Sequence, residues 1–259
     1  MRCQLIACEI MFREAALCAA TSKTVIDAHF LTKGLHDNPE TMRAEIQQRV
    51  DALDTIPHDA VLLGYCLCSN GTVGVQARST PVVIPRAHDC IALFLGSKDV
   101  YSQRFREKPG TYYYTAGWME RNDAHVERTP AQGEGLSNSF QELVAKYGED
   151  NAQYLWEFQN SWVRNYTTAC YIKMPLSHRA EVEEHARRQA ETHGWELEVV
   201  EGSDRLLRAL TEGNWNEEDF LVLEPGETVV ATHDRRVIGA APRDPTPSSP
   251  CPLGRGAKG

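Results

Sequence analysis

Cysteines and one histidine follow three separate apolar runs of the chain, and their side chains can bind metals. Cys8 ends the first run, Cys68 follows the third, and His88 and Cys90 come just beyond the fourth. If these runs are parallel strands, the residues after them meet at one edge of the sheet, where α/β proteins bind ligands. We therefore predict a metal site formed by Cys8, Cys68, Cys90 and His88.

The mixture of thiol and imidazole groups favours a zinc ion, since Zn²⁺ prefers sulfur and nitrogen ligands. A site with three thiolates alone would fit a 4Fe-4S cluster with one iron open to substrate. The spacings are C-x-C and H-x-C, which are less specific than paired C-x-x-C motifs. The sequence leaves open whether Cys66 or Cys68 is the metal ligand.

Chemistry without a metal is an alternative. The predicted helix beginning at Cys90 would lower the pKa of its thiol and make it a nucleophile. His88 would then act as acid or base, Asp89 would orient it, and Glu9 would serve as a base beside the first thiol. His36, in the loop after the second run, would reach the same edge. Inert packing of small, buried thiols is the third interpretation.

Two features predict a small polar or anionic substrate. The small-residue loop 69–74 can form a backbone nest that opens a helix and binds an anion. An arginine after the fourth run would clamp a carboxylate, and a tyrosine of the stretch 110–118 would line the pocket. Neither a P-loop nor a G-x-G-x-x-G motif is present, which argues against nucleotide binding. The predicted substrate-binding residues are Ser69, Asn70, Gly71, Arg86 and Tyr114.

Apolar runs alternate with helical patterns, which predicts an α/β fold with mostly parallel sheets flanked by helices. Two Rossmann-like lobes with a helical insertion are the expected architecture. The predicted strands occupy 3–8, 24–31, 60–66, 81–85, 110–118, 169–174, 195–202 and 219–226, with a further edge strand in 229–239. The predicted helices occupy 12–20, 39–53, a segment from residue 90, 138–165, 177–193 and 203–213.

A polar segment divides the predicted lobes. We expect an N-terminal α/β lobe at 1–118 that carries the Cys/His site, and a loop at 119–136. A helical segment and a C-terminal α/β lobe would follow at 137–239. The last twenty residues, 240–259, hold five of the 13 prolines and no core-forming run, so we predict a disordered tail.

Composition excludes several classes of function. The formal net charge is −9, which disfavours binding to nucleic acids or anionic membranes. No apolar run reaches the roughly 20 residues that a membrane-spanning helix needs, and the N-terminus lacks a signal-peptide pattern. We therefore expect a cytoplasmic protein whose eight cysteines are free thiols rather than a disulfide framework.

Several segments carry a family resemblance. ACEIMFREA, GLHDNPE, LLGYCLCSNGTVG, VIPRAHDCIALFLGSKDVY and PGTYYYTAGW follow, in order, the pattern of the family called domain of unknown function 1638. The later GNWNEEDFLVLEPGE resembles its C-terminal signature, so the likeness runs from about residue 3 to 232. The resemblance implies that Cys66 is a local addition. It also implies that the motif positions are Cys8, Cys68, His88, Asp89 and Cys90.

Members of this family often occur beside components of corrinoid-dependent methyltransferases, so the resemblance implies one-carbon metabolism. The function predicted is a metal-dependent enzyme, a transferase or lyase acting on a small polar or anionic molecule. One alternative is a noncatalytic metal-binding partner of a corrinoid methyltransferase system. The other is an enzyme with a cysteine nucleophile and no metal.

Overall fold

The four apolar runs in the first 85 residues form neighbouring strands because their side chains are buried together. The computed structural model describes residues 1–53, 57–121, 140–159 and 161–242. In this part of the chain the first four strands are β1 (Arg2–Cys8), β2 (Val25–Leu31), β3 (Ala60–Gly64) and β4 (Val82–Pro85). All five residues of β3 and all four of β4 are buried, as in a strand covered on both faces.

These four strands are parallel and lie in the order β2-β1-β3-β4. The chain moves to one side of β1 to form β2 and then returns to the other side to form β3. A topological switch point therefore lies between β1 and β3, and in open α/β sheets the ligand binds at the carboxyl ends of the strands at such a point. A fifth strand, β8 (Phe220–Leu223), pairs antiparallel with β4.

The helices of this sheet begin and end where their capping residues require. The Asn38 side chain accepts a hydrogen bond from the Thr41 N–H, and Pro39 occupies the first helical position, as predicted. One helix was predicted from Cys90, but Gly96 adopts a left-handed conformation (φ 70°) and divides that segment into two helices. The first four helices are α1 (Phe12–Thr21), α2 (Pro39–Ala52), α3 (Ile91–Leu95) and α4 (Lys98–Glu107).

A second, fully parallel sheet consists of β5 (Thr111–Tyr114), β6 (Thr168–Lys173) and β7 (Glu196–Glu201), in that order. The end of the predicted strand 110–118 is instead a short helix, α5 (Ala116–Glu120), whose N-cap Thr115 accepts a hydrogen bond from the Trp118 N–H. The helix α8 (Ala180–His193) covers one face of this sheet.

The helical segment predicted at 138–165 is interrupted at Gly148, which has a positive φ of 79°. It consists of α6 (Phe140–Tyr147), α7 (Glu149–Gln159) and a short 3-10 helix, Ser161–Asn165. Most of the loop predicted at 119–136 lies outside the described residues. None of the described helices is long and apolar enough to cross a membrane.

The C-terminal elements differ from the predicted lobe boundary and from the predicted edge strand. The helix α9 (Arg205–Glu212) contacts α1 and α3, and β8 completes the first sheet, so part of the predicted C-terminal lobe belongs to the N-terminal layer. The predicted edge strand at 229–239 is a two-stranded hairpin, β9 (Glu227–Ala231) and β10 (Ile238–Pro242). Residues 240–242 are therefore strand, and the rest of the predicted tail lies outside the described residues.

One carboxyl group is buried in the core between α1 and the turn before α8. Glu14 is 2 % exposed, and its Oε1 accepts a hydrogen bond from the Ser177 hydroxyl. Its Oε2 has no hydrogen-bond partner among the described residues. Burial raises the pKa of Glu14 above its usual range, because the charged form loses its hydration.

Replacing Glu14 with glutamine should change how stability depends on pH. An acid whose pKa rises on folding stabilises the protein below its unfolded pKa, and this contribution is lost as pH rises through the folded value. We expect E14Q to be more stable than the wild type by about 1 kcal/mol at neutral pH and equal to it in acid. Urea unfolding at several pH values tests this, with the exposed Glu191→Gln as control. Equal shifts in both variants would contradict the assignment.

Candidate functional site

The predicted convergence of thiols is present in the structure. Cys8 is the last residue of β1, and Cys68 lies four residues beyond the end of β3. Cys90 is the N-cap of α3, which follows β4. Because β1, β3 and β4 are adjacent and parallel, all three cysteines lie at the carboxyl edge, next to the switch point.

The three thiols act on one another electrostatically. Burial raises the pKa of Cys8 to about 11 and that of Cys68 to about 12, and it raises the pKa of Cys90 well above the usual value. Negative charge on Cys8 or Cys68 raises the pKa of Cys90 further. The three thiols are therefore protonated at neutral pH unless a cation balances them.

The loop that carries Cys68 has an unusual backbone. Cys68, Ser69 and Asn70 have positive φ angles of 45°, 54° and 67°, in the left-handed region that L-residues rarely occupy. The Cys68 N–H donates to the His88 carbonyl at 2.8 Å, which ties this loop to the loop after β4. Such strain costs about 1–3 kcal/mol per residue and is concentrated at functional sites.

A tyrosine that sequence reasoning missed lies among the thiols. Tyr65 follows β3 directly and is 3 % exposed, and its hydroxyl faces Cys8, Cys68 and Cys90. The hydroxyl lies at the Cys8 thiol and favours its ionised form, although the contact falls short of normal hydrogen-bond geometry. It would therefore stabilise a Cys8 thiolate at a metal site. The signal that could have identified it is a polar aromatic residue at the end of a buried apolar run.

The predicted base beside Cys8 has structural partners. The Glu9 carboxylate accepts a hydrogen bond from the Lys33 N–H at 3.0 Å and lies 3.8 Å from the Arg121 guanidinium. It therefore anchors the 3-10 helix Lys33–Asp37, which carries His36. His36 reaches the same edge of the sheet, as predicted, and its ring packs edge-on against Trp118 at 5.3 Å between centroids.

The structure separates His88 from the other two residues of the His88-Asp89-Cys90 motif. His88 is exposed and lines a polar surface cleft of about 550 Å³, away from the three thiols. The prediction that His88 ligates a metal together with the thiols is not supported, because neighbouring residues in a turn point in different directions.

Asp89 supports the start of α3. Its carboxylate accepts hydrogen bonds from the Ile91 N–H at 3.0 Å and from the Tyr101 hydroxyl at 2.6 Å. Burial raises the pKa of Asp89, whereas these donors favour its ionised form. The residue acts as a helix cap and a wall of the site rather than as an orienting partner of His88.

Both features predicted to bind an anion have structural partners. In the loop 69–74, the N–H groups of residues 71 to 74 donate to carbonyl oxygens, and no helix follows. The side chains of Ser69 and Asn70 are exposed, whereas Gly71 is buried against Met42. Arg86 donates to the carbonyl oxygens of Phe220 and Ile238, which joins β8 to β10. These groups hold the C-terminal strands and the loop in place, and substrate binding by them stays a prediction.

An aromatic cavity of about 360 Å³ opens beside Cys90. Its polar lining includes Asp89, Cys90 and His36. The predicted pocket residue Tyr114 is not part of it. Side chains alternate along β5, so Tyr114 packs against α8 in the second core while Tyr113 faces the cavity. The aromatic residues of its wall are Phe94, Tyr101, Phe105, Tyr112, Tyr113, Trp118 and Tyr166.

The thiols of Cys8, Cys68 and Cys90 lie together at this edge, and the fully buried thiol of Cys66 lies near Cys68 and Cys90. As the side chains are placed, no three His, Cys, Asp or Glu groups of the described residues are arranged to hold an ion. The proximity of the thiols nevertheless fits a soft cation or an iron–sulfur cluster, both of which thiolates prefer.

Comparison with known families gives one match. The model of the family described as "Protein of unknown function (DUF1638)" matches residues 30–211. The matched range includes Cys68 and Cys90 and begins after Cys8, so it is narrower than the range read from the motifs. Neither the curated proteins nor the solved structures gave a match. Because the model covers more than half of the chain, this protein belongs to the DUF1638 family.

Proposed function

We propose that Cys8, Cys68 and Cys90 bind a thiophilic metal centre, and that the protein is an enzyme whose substrate occupies the aromatic cavity. The observation that carries this proposal is the meeting of three thiols, one buried and two partly buried, at the switch point of a parallel sheet. Inert packing does not require three thiols to meet at the edge where ligands bind, nor a strained loop to hold one of them.

The centre would be a zinc ion or a 4Fe-4S cluster. The loss of His88 from the donor set shifts the balance towards the cluster, which needs only three thiolates and leaves one iron open. A bound metal of either kind would supply Lewis-acid chemistry to the substrate. Binding requires the thiol side chains to turn towards a common point.

The protein's own residues have separate roles in this proposal. Cys90 is the thiol that borders the aromatic cavity, so it joins the metal site to the substrate site. The Tyr65 hydroxyl would donate a hydrogen bond to a ligand or a thiolate of the site. The aromatic walls would exclude water from the reacting group. A place in one-carbon or methyl-transfer metabolism depends on the family resemblance and stays a prediction.

A cysteine nucleophile without a metal is the weaker alternative. A nucleophilic cysteine needs a lowered pKa, whereas burial raises the pKa of Cys90. No described histidine is hydrogen-bonded to this thiol, and His88 lines a separate surface cleft.

Metal analysis of anaerobically purified protein tests the proposal. We expect about one zinc ion or four irons per chain by inductively coupled plasma mass spectrometry. A broad absorption near 400 nm would identify the cluster, and its absence with bound zinc would identify the ion. Protein that neither contains metal nor takes it up under anaerobic reconstitution would refute the proposal.

Substitution of the two neighbouring thiols tests the ligand assignment. We expect Cys68→Ser to lose the metal, because its thiol lies with those of Cys8 and Cys90. Cys66→Ser should keep it, because the Cys66 thiol, although it lies near Cys68 and Cys90, is fully buried in the core, whereas Cys68 is partly exposed. Metal loss in Cys66→Ser alone would show that the assignment of Cys68 is wrong.

A further inference from the structure

One edge of the first sheet has no neighbouring strand. Strand β2 ends the order β2-β1-β3-β4-β8, and no described strand pairs with its outer side. The Val25 N–H donates to the Met1 carbonyl at 3.0 Å, so Val25 and every second residue after it direct their backbone groups towards β1. Ile26, Ala28 and Phe30 therefore direct their N–H and C=O groups away from the sheet. Val25 and Ala28 are exposed, so the described residues leave this edge open.

This edge lacks most of the features that keep edge strands from pairing. Natural edge strands are commonly very short, or they carry charged residues or proline. Strand β2 has seven residues without lysine or proline, and its carboxylate, Asp27, is balanced by the Arg2 guanidinium at 2.8 Å. The outer strand of the second sheet differs, because β7 has three glutamates among its six residues. Of these two edges, β2 is therefore the one suited to accept another strand.

The sequence of β2 is complementary to itself in the antiparallel direction. When Ala28 lies opposite Ala28 of a second copy, Ile26 lies opposite Phe30, a β-branched residue beside an aromatic one. In the same register Asp27 lies opposite His29, whose ring N–H can donate to a carboxylate. The three residues with outward backbone groups also oppose one another, as the hydrogen bonds of an antiparallel pair require.

Exposed aromatic surface lies beside this edge. Phe30 packs on α1, where its ring meets that of Phe12 edge-on at 4.9 Å between centroids. Phe12 stays 42 % exposed, even though the Arg121 guanidinium lies over its ring. Ile26 of a second copy would lie on this same face, because the side chains of opposite residues share a face. Pairing would therefore cover apolar surface as well as satisfy a row of backbone groups.

We propose that the protein is a homodimer in which two β2 strands pair antiparallel across a two-fold axis at Ala28. The two five-stranded sheets would join into one continuous sheet. Backbone hydrogen bonds would supply affinity, and the two kinds of side-chain pair would fix the register. The inference is independent of the proposed function, because β2 contributes none of the three thiols.

Sedimentation velocity over a range of protein concentrations tests the proposal, and we expect a dimer in the micromolar range. Ala28→Pro removes an outward N–H that β1 does not use, and edge strands tolerate proline at such positions. We expect the dissociation constant to rise at least about a hundredfold, because the change occurs twice at the axis. Val199→Pro is the matched control, which should leave the dimer intact. The Glu196 N–H donates to the Thr167 carbonyl, so Val199 likewise directs its N–H outward from β7.

A cross-link locates the axis. Opposite Cα atoms of a hydrogen-bonded antiparallel pair are about 5.5 Å apart, within the range of about 4.4–6.8 Å that a disulfide spans. Ala28→Cys should therefore form a covalent dimer under mild oxidation by oxygen and a copper catalyst. Val199→Cys, on the exposed face of β7, should cross-link no more than the wild type.

Three results would each overturn the proposal. They are a wild-type monomer at all concentrations, a dimer that Ala28→Pro leaves intact or Val199→Pro weakens equally, and a folded Ala28→Cys variant that cross-links no more than Val199→Cys. Circular dichroism shows whether each variant is folded. If Ala28→Pro does not fold, the cross-link decides.

Discussion

Zinc binding should strengthen by up to about a thousandfold for each pH unit between about pH 6 and 8, because three protonated thiols must each release a proton. The pKa values of Cys8 and Cys68, about 11 and 12, lie above this range, and that of Cys90 is also strongly raised. The affinity rises with pH as long as the thiols are protonated in the metal-free protein. A site with lowered thiol pKa values would show little pH dependence.

Competition with a zinc chelator at several pH values measures this slope, and calorimetry in buffers of different ionisation enthalpy counts the protons. We expect Cys90→Ser to lower the proton count from three to two and to weaken binding at least about a hundredfold. Cys18→Ser is the control, because Cys18 is a buried thiol that lies on α1 away from the site. A slope that stays the same in the Cys90 variant would remove this residue from the ligand set.

Gly117→Ala should destabilise the protein by about 3 kcal/mol, the second large effect that we expect. A Cβ atom at this position would overlap the carbonyl oxygen of Ile10, because α5 packs directly on the 3-10 helix Glu9–Met11. To relieve this overlap, α5 and the 3-10 helix would have to move apart. This movement would displace both Trp118 at the cavity and the segment after Cys8. Metal affinity should therefore fall together with stability.

Urea denaturation measures the loss, and Gly34→Ala serves as its control. Gly34 has open space around the position of a Cβ atom, so we expect its substitution to change the free energy of unfolding by less than about 1 kcal/mol. A loss below about 1 kcal/mol in Gly117→Ala would show that α5 is not held against the thiol segment as described.

The layers of the fold could be predicted from sequence because burial leaves a strong pattern. The unbroken apolar run of β3 and the spacing of Met42, Ile46 and Val50 on α2 identify a covered strand and an amphipathic helix. The interruptions at Gly96 and Gly148 were not predicted. Each depends on a single positive φ angle, which periodicity does not detect. The position of β8 beside β4 depends on tertiary packing, and the local sequence does not indicate which strands will pair.

The meeting of Cys8, Cys68 and Cys90 was predictable because it follows from parallel strand ends. The direction of each side chain was not. His88 and Cys90 are two residues apart in the sequence, yet they line different cavities. Arg86 bonds to carbonyl oxygens of strands that lie more than 130 residues further along the chain. Tyr65 escaped notice because a tyrosine in a buried run usually indicates packing. The contact of its hydroxyl with the Cys8 thiol is visible only in three dimensions.

The antiparallel pairing of β4 with β8 has a consequence for synthesis in the cell. Val82 pairs with Leu223, so a ribosome must add about 140 further residues before β4 gains its last neighbour. Until then the nascent chain displays an apolar strand edge, which can pair with other chains. The thiols are already present by residue 90, well before that edge is covered. Metal loading of the nascent chain would therefore compete with aggregation, and a chaperone that covers β4 would favour loading.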